Sequence, residues 1–198
     1  MSRGVGQVRI AQDWQTLEAL TIQLAAKIVD YSQKHKLKFS KVLVIPKGGY
    51  FLGLLLPEML GFNNDQLIHT CVQTYVQGAG KQTGSLILGP MPTEADIKGQ
   101  DILIVDEVWD TGMTLDFVVR YLKDRGSKTI TIAVLHYKPG KSRIKNKKPD
   151  IYVKMTDAWI DYAWETARIK GKQPISVSRQ TKPSRIFKLD PPPPVDID

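Results

Sequence analysis

The run from residue 101 to residue 126 constrains the fold of this chain more than any other part of its sequence. It opens with a short, β-branched apolar segment at residues 102–105, which is typical of a parallel strand buried on both faces. Four apolar residues beyond it recur at helical spacing: Leu115, Val118, Val119 and Leu122. Gly126 then supplies a helix stop. A strand, a turn and a helix in one continuous run predict an α/β fold.

Two adjacent carboxylates and a DTGMT turn at residues 110–114 lie between that strand and that helix. Open α/β sheets bind their ligands at the carboxyl ends of the strands. Backbone N–H groups at the helix start, with the hydroxyls of the two threonines in the turn, suit a phosphate monoester. Asp106 and Glu107 could accept hydrogen bonds from a vicinal diol, and they would also attract Mg²⁺. We therefore expect a site for a phosphorylated sugar. The alternative is a helix cap followed by surface acids.

The acids and the turn, DEVWDTGMT, resemble the signature for 5-phosphoribosyl pyrophosphate (PRPP) in the type I phosphoribosyltransferases. The resemblance implies that Asp106 and Glu107 hold the ribose hydroxyls and Mg²⁺. It also implies that the 5-phosphate is bound by Asp110, Thr111, Gly112, Met113 and Thr114. In this family the position of Asp110 also meets N7 of the base, so Asp110 is our candidate proton acceptor.

A second turn, Lys47-Gly48-Gly49, follows the apolar segment 41–45. Two glycines let the backbone approach a ligand closely, and the lysine supplies a positive charge for an anion. The turn resembles the pyrophosphate loop of the same family, in which the peptide before the glycine pair is often cis. That implies a cis bond between Pro46 and Lys47, or next to it. Taken alone, Gly-Gly after a strand is often only a turn.

A third segment, residues 74–84, is polar, rich in glycine and placed after a strand pattern, so we expect it to be mobile. The residue after Lys81 is glutamine and not Ser or Thr, which counts against a Walker loop. The segment resembles the flexible catalytic loop of purine phosphoribosyltransferases. This implies catalytic roles for Tyr75 and Lys81, beside Thr74. A simple surface hairpin is the alternative.

The Lys-Pro pair at residue 138 and the block DAWIDYAWE after it resemble the hood of xanthine-guanine phosphoribosyltransferases. The resemblance implies that Lys138 recognises the purine O6, that Trp159 stacks on the base and that the Ile160 carbonyl meets the C2 substituent. Glu165 would help the acid pair to hold Mg²⁺ and pyrophosphate. The tryptophans could instead be core or interface aromatics, and for Trp164 we prefer that interpretation.

Together these resemblances imply an enzyme of purine salvage that displaces pyrophosphate from C1 of PRPP by N9 of a 6-oxopurine. Xanthine and guanine are the favoured bases, Mg²⁺ is the expected cofactor, and Lys47 would stabilise the leaving pyrophosphate. The product would be a nucleoside monophosphate. Two alternatives stay open: a preference for hypoxanthine and guanine, or a PRPP-sensing regulator that binds nucleic acid.

Strand and helix patterns alternate along the chain, which predicts a parallel five-stranded sheet flanked by helices. The strands are expected at residues 41–45, 67–76, 85–88, 101–105 and 128–135. A helix capped by Asp13 should bury a stripe formed by Leu17, Leu20, Leu24, Ile28 and Tyr31. Residues 51–60 should form a second helix, kinked or shortened by Pro57.

The chain has 198 residues, 42% of them hydrophobic, which favours a single domain. We expect this domain at residues 1–170, with a core at about 10–135 and a small hood at about 136–165. No apolar run has the length of a membrane span, and the amino terminus lacks the apolar core of a signal peptide. We therefore expect a cytoplasmic protein with no membrane partner, assembled as a homodimer or homotetramer.

The net charge of +8 is concentrated in the last third of the chain. Residues 136–198 carry 14 Lys and Arg against 7 acids, whereas residues 1–135 carry 14 against 13. Such a surface could attract polyanions, although a solvated loop explains most of these lysines and we expect no nucleic-acid partner. The basic, proline-rich tail at 171–198 is predicted to be flexible or to pack on a neighbouring subunit through Ile186, Phe187 and Leu189.

Overall fold

The computed structural model describes residues 8–75, 85–166 and 186–188. In chain order the elements are β1 (Arg9–Gln12), α1 (Trp14–His35), β2 (Lys41–Val44), α2 (Gly49–Leu60), a 3₁₀ turn (Asn64–Gln66), β3 (Leu67–His69), β4 (Val72–Tyr75), β5 (Ser85–Leu88), α3 (Glu94–Ile97), β6 (Asp101–Trp109), α4 (Met113–Asp124), β7 (Thr129–Tyr137), β8 (Ile151–Met155), β9 (Trp159–Tyr162), α5 (Ala163–Thr166) and β10 (Ile186–Lys188). None of the helices in these ranges is long and apolar enough to cross a membrane.

The main sheet has five parallel strands in the order β3-β2-β6-β7-β8. Alternate residues of each strand face opposite sides, so each central strand contributes to two hydrophobic clusters. Val42 and Val44 pack with α1 and α2 on one side, whereas Leu43 packs with α3 and α4 on the other. The predicted fold class, a parallel five-stranded sheet flanked by helices, is confirmed.

The strand membership of this sheet differs from the prediction. The expected strand 67–76 is two strands, because Thr70 N donates to Val44 O at the end of the main sheet and Cys71 N then donates to Pro90 O. After this switch, β4 pairs antiparallel with β5, and β10 pairs antiparallel with the other edge of β5. The expected strand 85–88 therefore lies outside the main sheet. Alternating hydrophobicity continues across Thr70 and carries no information on which sheet a strand joins.

Strand β8 takes the fifth place in the main sheet. It lies within residues 136–165, the range predicted for the hood. Beyond it, β9 pairs in parallel with β1 in a separate two-stranded sheet. The amino-terminal strand β1 was not predicted. In the predicted tail, residues 186–188 form β10, and the rest of the tail lies outside the described residues.

Strand β6 is longer than expected, since it continues to Trp109 and not only to residue 105. Its pairing with β7 extends through Asp106, Val108 and Trp109. The acid pair therefore lies inside a hydrogen-bonded strand, which fixes its backbone. The turn at 110–114 follows β6 directly and leads into α4, as predicted.

The first two helices agree with the sequence prediction in their essentials. Asp13 caps α1 by accepting a hydrogen bond from Thr16 N at 2.8 Å, and the stripe from Leu17 to Ile28 is buried, with Tyr31 partly buried beside it. Helix α2 begins two residues earlier than expected, at Gly49. It also continues past Pro57 to Leu60, so the proline does not end it.

Candidate active site

The acid pair lies near the carboxyl end of β6, just beyond the last residue of the neighbouring strand β2. Asp106 is 8% exposed, and its Oδ1 accepts a hydrogen bond from Glu107 N at 2.9 Å. Burial, followed by the adjacent Glu107, raises the pKa of Asp106 well above its usual range. A carboxyl group in this state is under-solvated, so hydroxyl donors or a cation would stabilise its ionised form.

The side chain of Glu107 points toward the turn after β2. Its Oε2 atom is buried and has no hydrogen-bond partner among the described residues. A Cβ atom built on Gly48 would lie 2.2 Å from this oxygen, so only a glycine leaves room for the carboxylate there. A buried carboxylate oxygen without a protein partner is suited to a hydroxyl or a metal ligand.

The Lys-Gly-Gly turn meets the acid pair because β2 and β6 are parallel neighbours in register, with Val44 opposite Val105. The Pro46–Lys47 peptide is cis, at the position that the family resemblance implied. Gly49 also packs tightly against β6, since a Cβ atom there would be 3.0 Å from the Val105 carbonyl oxygen. Lys47 is exposed and Gly48 is buried.

The DTGMT turn, residues 110–114, lines the candidate site together with the acid pair. Gly112 has a φ of 77°, in the left-handed region, and a Cβ atom there would be 2.5 Å from the indole of Trp109. Glycine is therefore required at this turn both by backbone conformation and by space. A cavity of about 280 Å³ opens beside it and is lined by six of the predicted PRPP-binding residues: Asp106, Glu107, Asp110, Thr111, Gly112 and Thr114. Met113 is the first residue of α4.

Three of the four residues predicted to contact the base lie close together beside this cavity. Lys138 is 6% exposed, and its Nζ lies 3.7 Å from Asp110 Oδ1 and 5.6 Å from the ring centroid of Trp159. Trp159 is 43% exposed, so part of its indole surface is open. Lys138 N also donates to Trp109 O at 2.9 Å, which fixes the lysine backbone beside the DTGMT turn. An ammonium, a carboxylate and an exposed aromatic face can together hold a planar, hydrogen-bonding ring.

Arg9 joins this cluster from β1 and was missed by the sequence analysis. Its guanidinium pairs with both carboxylate oxygens of Asp161, and its Cζ lies 5.7 Å from the Trp159 ring centroid. Asp161 Oδ1 also accepts from Trp159 Nε1 at 3.2 Å. The Arg9–Asp161 pair thus restricts the indole. No local signal marks Arg9, because the pairing of β1 with β9 is non-local.

The three predicted metal ligands do not form a preformed metal site. Within the described ranges, no three side chains of His, Cys, Asp or Glu converge as a metal-binding group. Glu165, the third candidate, is exposed, and its Oε2 accepts a hydrogen bond from Tyr162 N at 3.4 Å. The acid pair still offers the hard oxygen donors that Mg²⁺ prefers, and Mg²⁺ usually keeps water and substrate oxygens as its other ligands.

Other predicted residues fall in or at the edge of the hood. Ile160 is buried and lies opposite Ile10 in the small sheet. Trp164 stacks on Tyr162, with centroids 4.7 Å apart and planes 6° apart, and also contacts Phe51. This agrees with the packing role preferred for Trp164. Tyr75 ends β4, but its side chain and the whole of Lys81 lie outside the described residues.

Comparison with known proteins gives the family. A family model for the phosphoribosyl transferase domain matches residues 8–168, which is most of the chain. The chain therefore belongs to the phosphoribosyl transferase domain family. Its sheet order and flanking helices match those of type I phosphoribosyltransferase structures, as the sequence resemblance predicted.

Three named proteins illustrate this similarity. The hypoxanthine-guanine phosphoribosyltransferase of Bacillus subtilis is 31% identical over 75 residues, or 35% of this chain and 42% of that enzyme. The transcriptional regulator GfcR of Methanothrix thermoacetophila is 50% identical over 46 residues, or 23% of either chain. The matched segments thus span less than half the length of these two relatives.

The solved structure of a purine phosphoribosyltransferase from Pyrococcus horikoshii matches much more completely. It is 28% identical, with a TM-score of 0.65, and the alignment covers 83% of this chain and 99% of that one. The expected similarity to purine phosphoribosyltransferases is confirmed.

Proposed function

We propose that this chain transfers the 5-phosphoribosyl group of PRPP to N9 of a 6-oxopurine and releases pyrophosphate, with xanthine or guanine as the favoured base. One observation carries the proposal. Lys138 Nζ lies 3.7 Å from Asp110 Oδ1, so a candidate base-recognition group adjoins the first residue of the phosphate turn. Lys138 thus lies between the cavity proposed to bind the sugar phosphate and the exposed indole of Trp159.

PRPP would bind along the ends of β2 and β6. Asp106 and Glu107 would accept hydrogen bonds from the ribose 2′ and 3′ hydroxyls. The turn residues Thr111, Gly112, Met113 and Thr114 would hold the 5-phosphate through backbone N–H groups and hydroxyls. Lys47, Gly48 and Gly49 would bind the pyrophosphate, with the exposed ammonium of Lys47 compensating its charge.

Mg²⁺ is part of the proposal. Asp106 and Glu107 would hold it, and Glu165 would help to hold it together with pyrophosphate. The ion would neutralise charge that develops on the leaving pyrophosphate. The buried and unpartnered Oε2 of Glu107 supports this assignment.

The base would stack on Trp159, receive a hydrogen bond from Lys138 at O6 and meet the Ile160 carbonyl at its C2 substituent. As the bond between C1 and the pyrophosphate oxygen breaks, N9 forms the new bond to C1, and Asp110 accepts the hydrogen bond or proton at N7. Tyr75 and Lys81 would close over the reacting centre and exclude water. Most of the acceleration would come from holding two substrates in line.

The direct test is to incubate the purified full chain with PRPP, Mg²⁺ and each of xanthine, guanine and hypoxanthine, and to separate the nucleotides by chromatography. We expect the highest kcat/KM with xanthine or guanine. Comparable or higher values with hypoxanthine would replace this base assignment by the hypoxanthine-guanine alternative. No nucleotide from any of the three bases would overturn the enzymatic function.

A PRPP-sensing regulator is the second candidate. It is favoured by the 50% identity with the Methanothrix regulator over 46 residues and by the 14 Lys and Arg against 7 acids in residues 136–198. A regulator would bind duplex DNA with an affinity that depends on PRPP, and it would form no nucleotide. A cytoplasmic location and a homodimer or homotetramer, both expected from the resemblance, complete the proposal.

A further inference from the structure

A chain of hydrogen bonds lies behind the acid pair, and the proposed reaction does not use it. Tyr162 Oη lies 3.2 Å from the Glu107 carbonyl oxygen, and His136 Nδ1 lies 3.0 Å from Tyr162 Oη. Tyr162 is 3% exposed and His136 is 1% exposed. The three residues come from β9, β7 and β6, so the chain joins the hood strand to two central strands of the main sheet.

The proton positions in this chain follow from its acceptor. A carbonyl oxygen can only accept, so the hydroxyl of Tyr162 donates to Glu107 O. The Tyr162 oxygen then accepts from His136 Nδ1–H. Burial, together with the charges of Lys154 and Lys138, lowers the pKa of His136 to about 4. Because the Tyr162 proton is directed to Glu107 O, the proton between the two side chains belongs to His136 Nδ1. The other ring nitrogen, Nε2, is buried and has no partner in the described residues.

The position of Tyr162 makes this chain relevant to the two substrates. The strand β9 carries Trp159 at its first residue and Tyr162 at its last. Glu107 carries the carboxylate that fills the space beside Gly48. Through its hydroxyl, Tyr162 therefore hydrogen-bonds the main chain of Glu107, the proposed ribose-binding residue. This bond links Glu107 to β9, the strand that carries the proposed base-stacking Trp159.

We propose that Tyr162, oriented by His136, is a positioning residue that couples base binding to PRPP binding by fixing the main chain of Glu107 to the base-binding strand. The inference rests on the proposed function. Coupling of this kind is reciprocal, since each ligand must change the affinity for the other by the same factor. Tyr162 contacts neither substrate in this account, so its loss changes the coupling more than either separate affinity.

The test measures the coupling factor by calorimetry. The probe is the 9-deaza analogue of the best substrate base, which has carbon in place of N9 and therefore cannot react. Its dissociation constant is measured with and without PRPP and Mg²⁺, for the wild type and for Tyr162→Phe, which keeps the ring that stacks on Trp164. We expect the ratio of the two constants to fall about tenfold in Tyr162→Phe, while the affinity for PRPP alone changes much less.

Tyr121→Phe is the matched control. The Tyr121 hydroxyl also donates to a backbone carbonyl, that of Pro92 at 2.9 Å, but it joins α4 to the segment before α3. Its loss should leave the ratio unchanged. An unchanged ratio in Tyr162→Phe, or an equal fall in Tyr121→Phe, would overturn the inference.

A second variant tests the role of His136. If it acts through Tyr162, His136→Ala should lower the ratio as much as Tyr162→Phe, and the double variant should show no further loss. Additive losses would contradict this role. If His136→Ala does not fold, the comparison of Tyr162→Phe with Tyr121→Phe still decides the proposal. Failure of the wild type to bind PRPP would instead refute the proposed function, so the two failures are distinguishable.

Discussion

The carboxyl carbon of Glu107 lies 2.0 Å from the position that a Cβ atom would take at Gly48. The Glu107 carboxylate, a candidate ribose-binding group, therefore packs directly against Gly48 of the candidate pyrophosphate loop. A side chain at residue 48 would have to displace this carboxylate. The first contact of a new methyl group at residue 48 would be with the end of a flexible side chain, whereas at residue 49 it would be with a backbone oxygen.

We therefore expect Gly48→Ala to displace the Glu107 carboxylate and to raise the KM for PRPP more than tenfold, while the free energy of unfolding changes by about 1 kcal/mol or less. Steady-state kinetics and urea unfolding check both parts.

Gly53→Ala is the matched control, because its Cβ would lie 2.6 Å from Val44 Cγ2 in the core. It should lose about 1–3 kcal/mol by overpacking while the KM for PRPP stays near the wild-type value. The expectation is refuted if Gly48→Ala binds PRPP normally.

Asp106→Asn should stabilise the protein without ligands and abolish tight PRPP binding. The pKa of Asp106 is raised from 3.8, so its protonation favours folding, and this contribution is lost as the pH rises through the folded-state pKa. The amide removes a buried carboxylate, which destabilises the folded wild type most at high pH, where it is ionised. Urea unfolding should show that the variant is more stable than the wild type at alkaline pH, and that this gain becomes smaller as the pH falls. A variant that is less stable than the wild type at pH 8 would contradict this.

His136 should titrate near pH 4 in the folded protein, well below its ordinary value of 6.5. Between these values the unfolded chain binds a proton that the folded chain excludes, so stability falls as the pH falls, by about 3 kcal/mol in all. The raised pKa of Asp106 has the opposite effect on stability between pH 4 and pH 6.5. Because Asp106 is present in both proteins, its effect cancels when the wild type is compared with His136→Gln. The variant should lose less stability from pH 7 to pH 4.5, and imidazole resonances in NMR spectra report the pKa directly.

Asp110→Asn should lower kcat by about 10²-fold with a smaller effect on the KM for PRPP, because the amide keeps the turn but cannot accept a proton. Asp161→Asn, which loosens Trp159 without touching Asp110, is the comparison: it should raise the KM for the base and leave kcat nearly unchanged. Full activity in Asp110→Asn would remove this residue from the proton transfer.

The sequence predicted the part of the site that is local along the chain. The run from β6 through the phosphate turn into α4 was identified because a buried strand, a glycine turn and an amphipathic helix each leave a short-range pattern. The switch of sheets at Thr70 was missed because the alternation of apolar residues is the same in either sheet. Arg9 and Tyr162 were missed because their contacts depend on strands that meet across the fold.

The proposed reaction transfers a phosphoribosyl group to a base at the end of β6. The most direct measurement follows the reaction of PRPP, Mg²⁺ and guanine or xanthine by phosphorus NMR, with the wild type and with Glu107→Gln. We expect one pyrophosphate for each nucleoside monophosphate in the wild type, and a rate at least about 10²-fold lower in Glu107→Gln, whose amide accepts the ribose hydroxyls and Mg²⁺ poorly. Absence of both products in the wild type, pyrophosphate without nucleotide, or an undiminished rate in Glu107→Gln would contradict it.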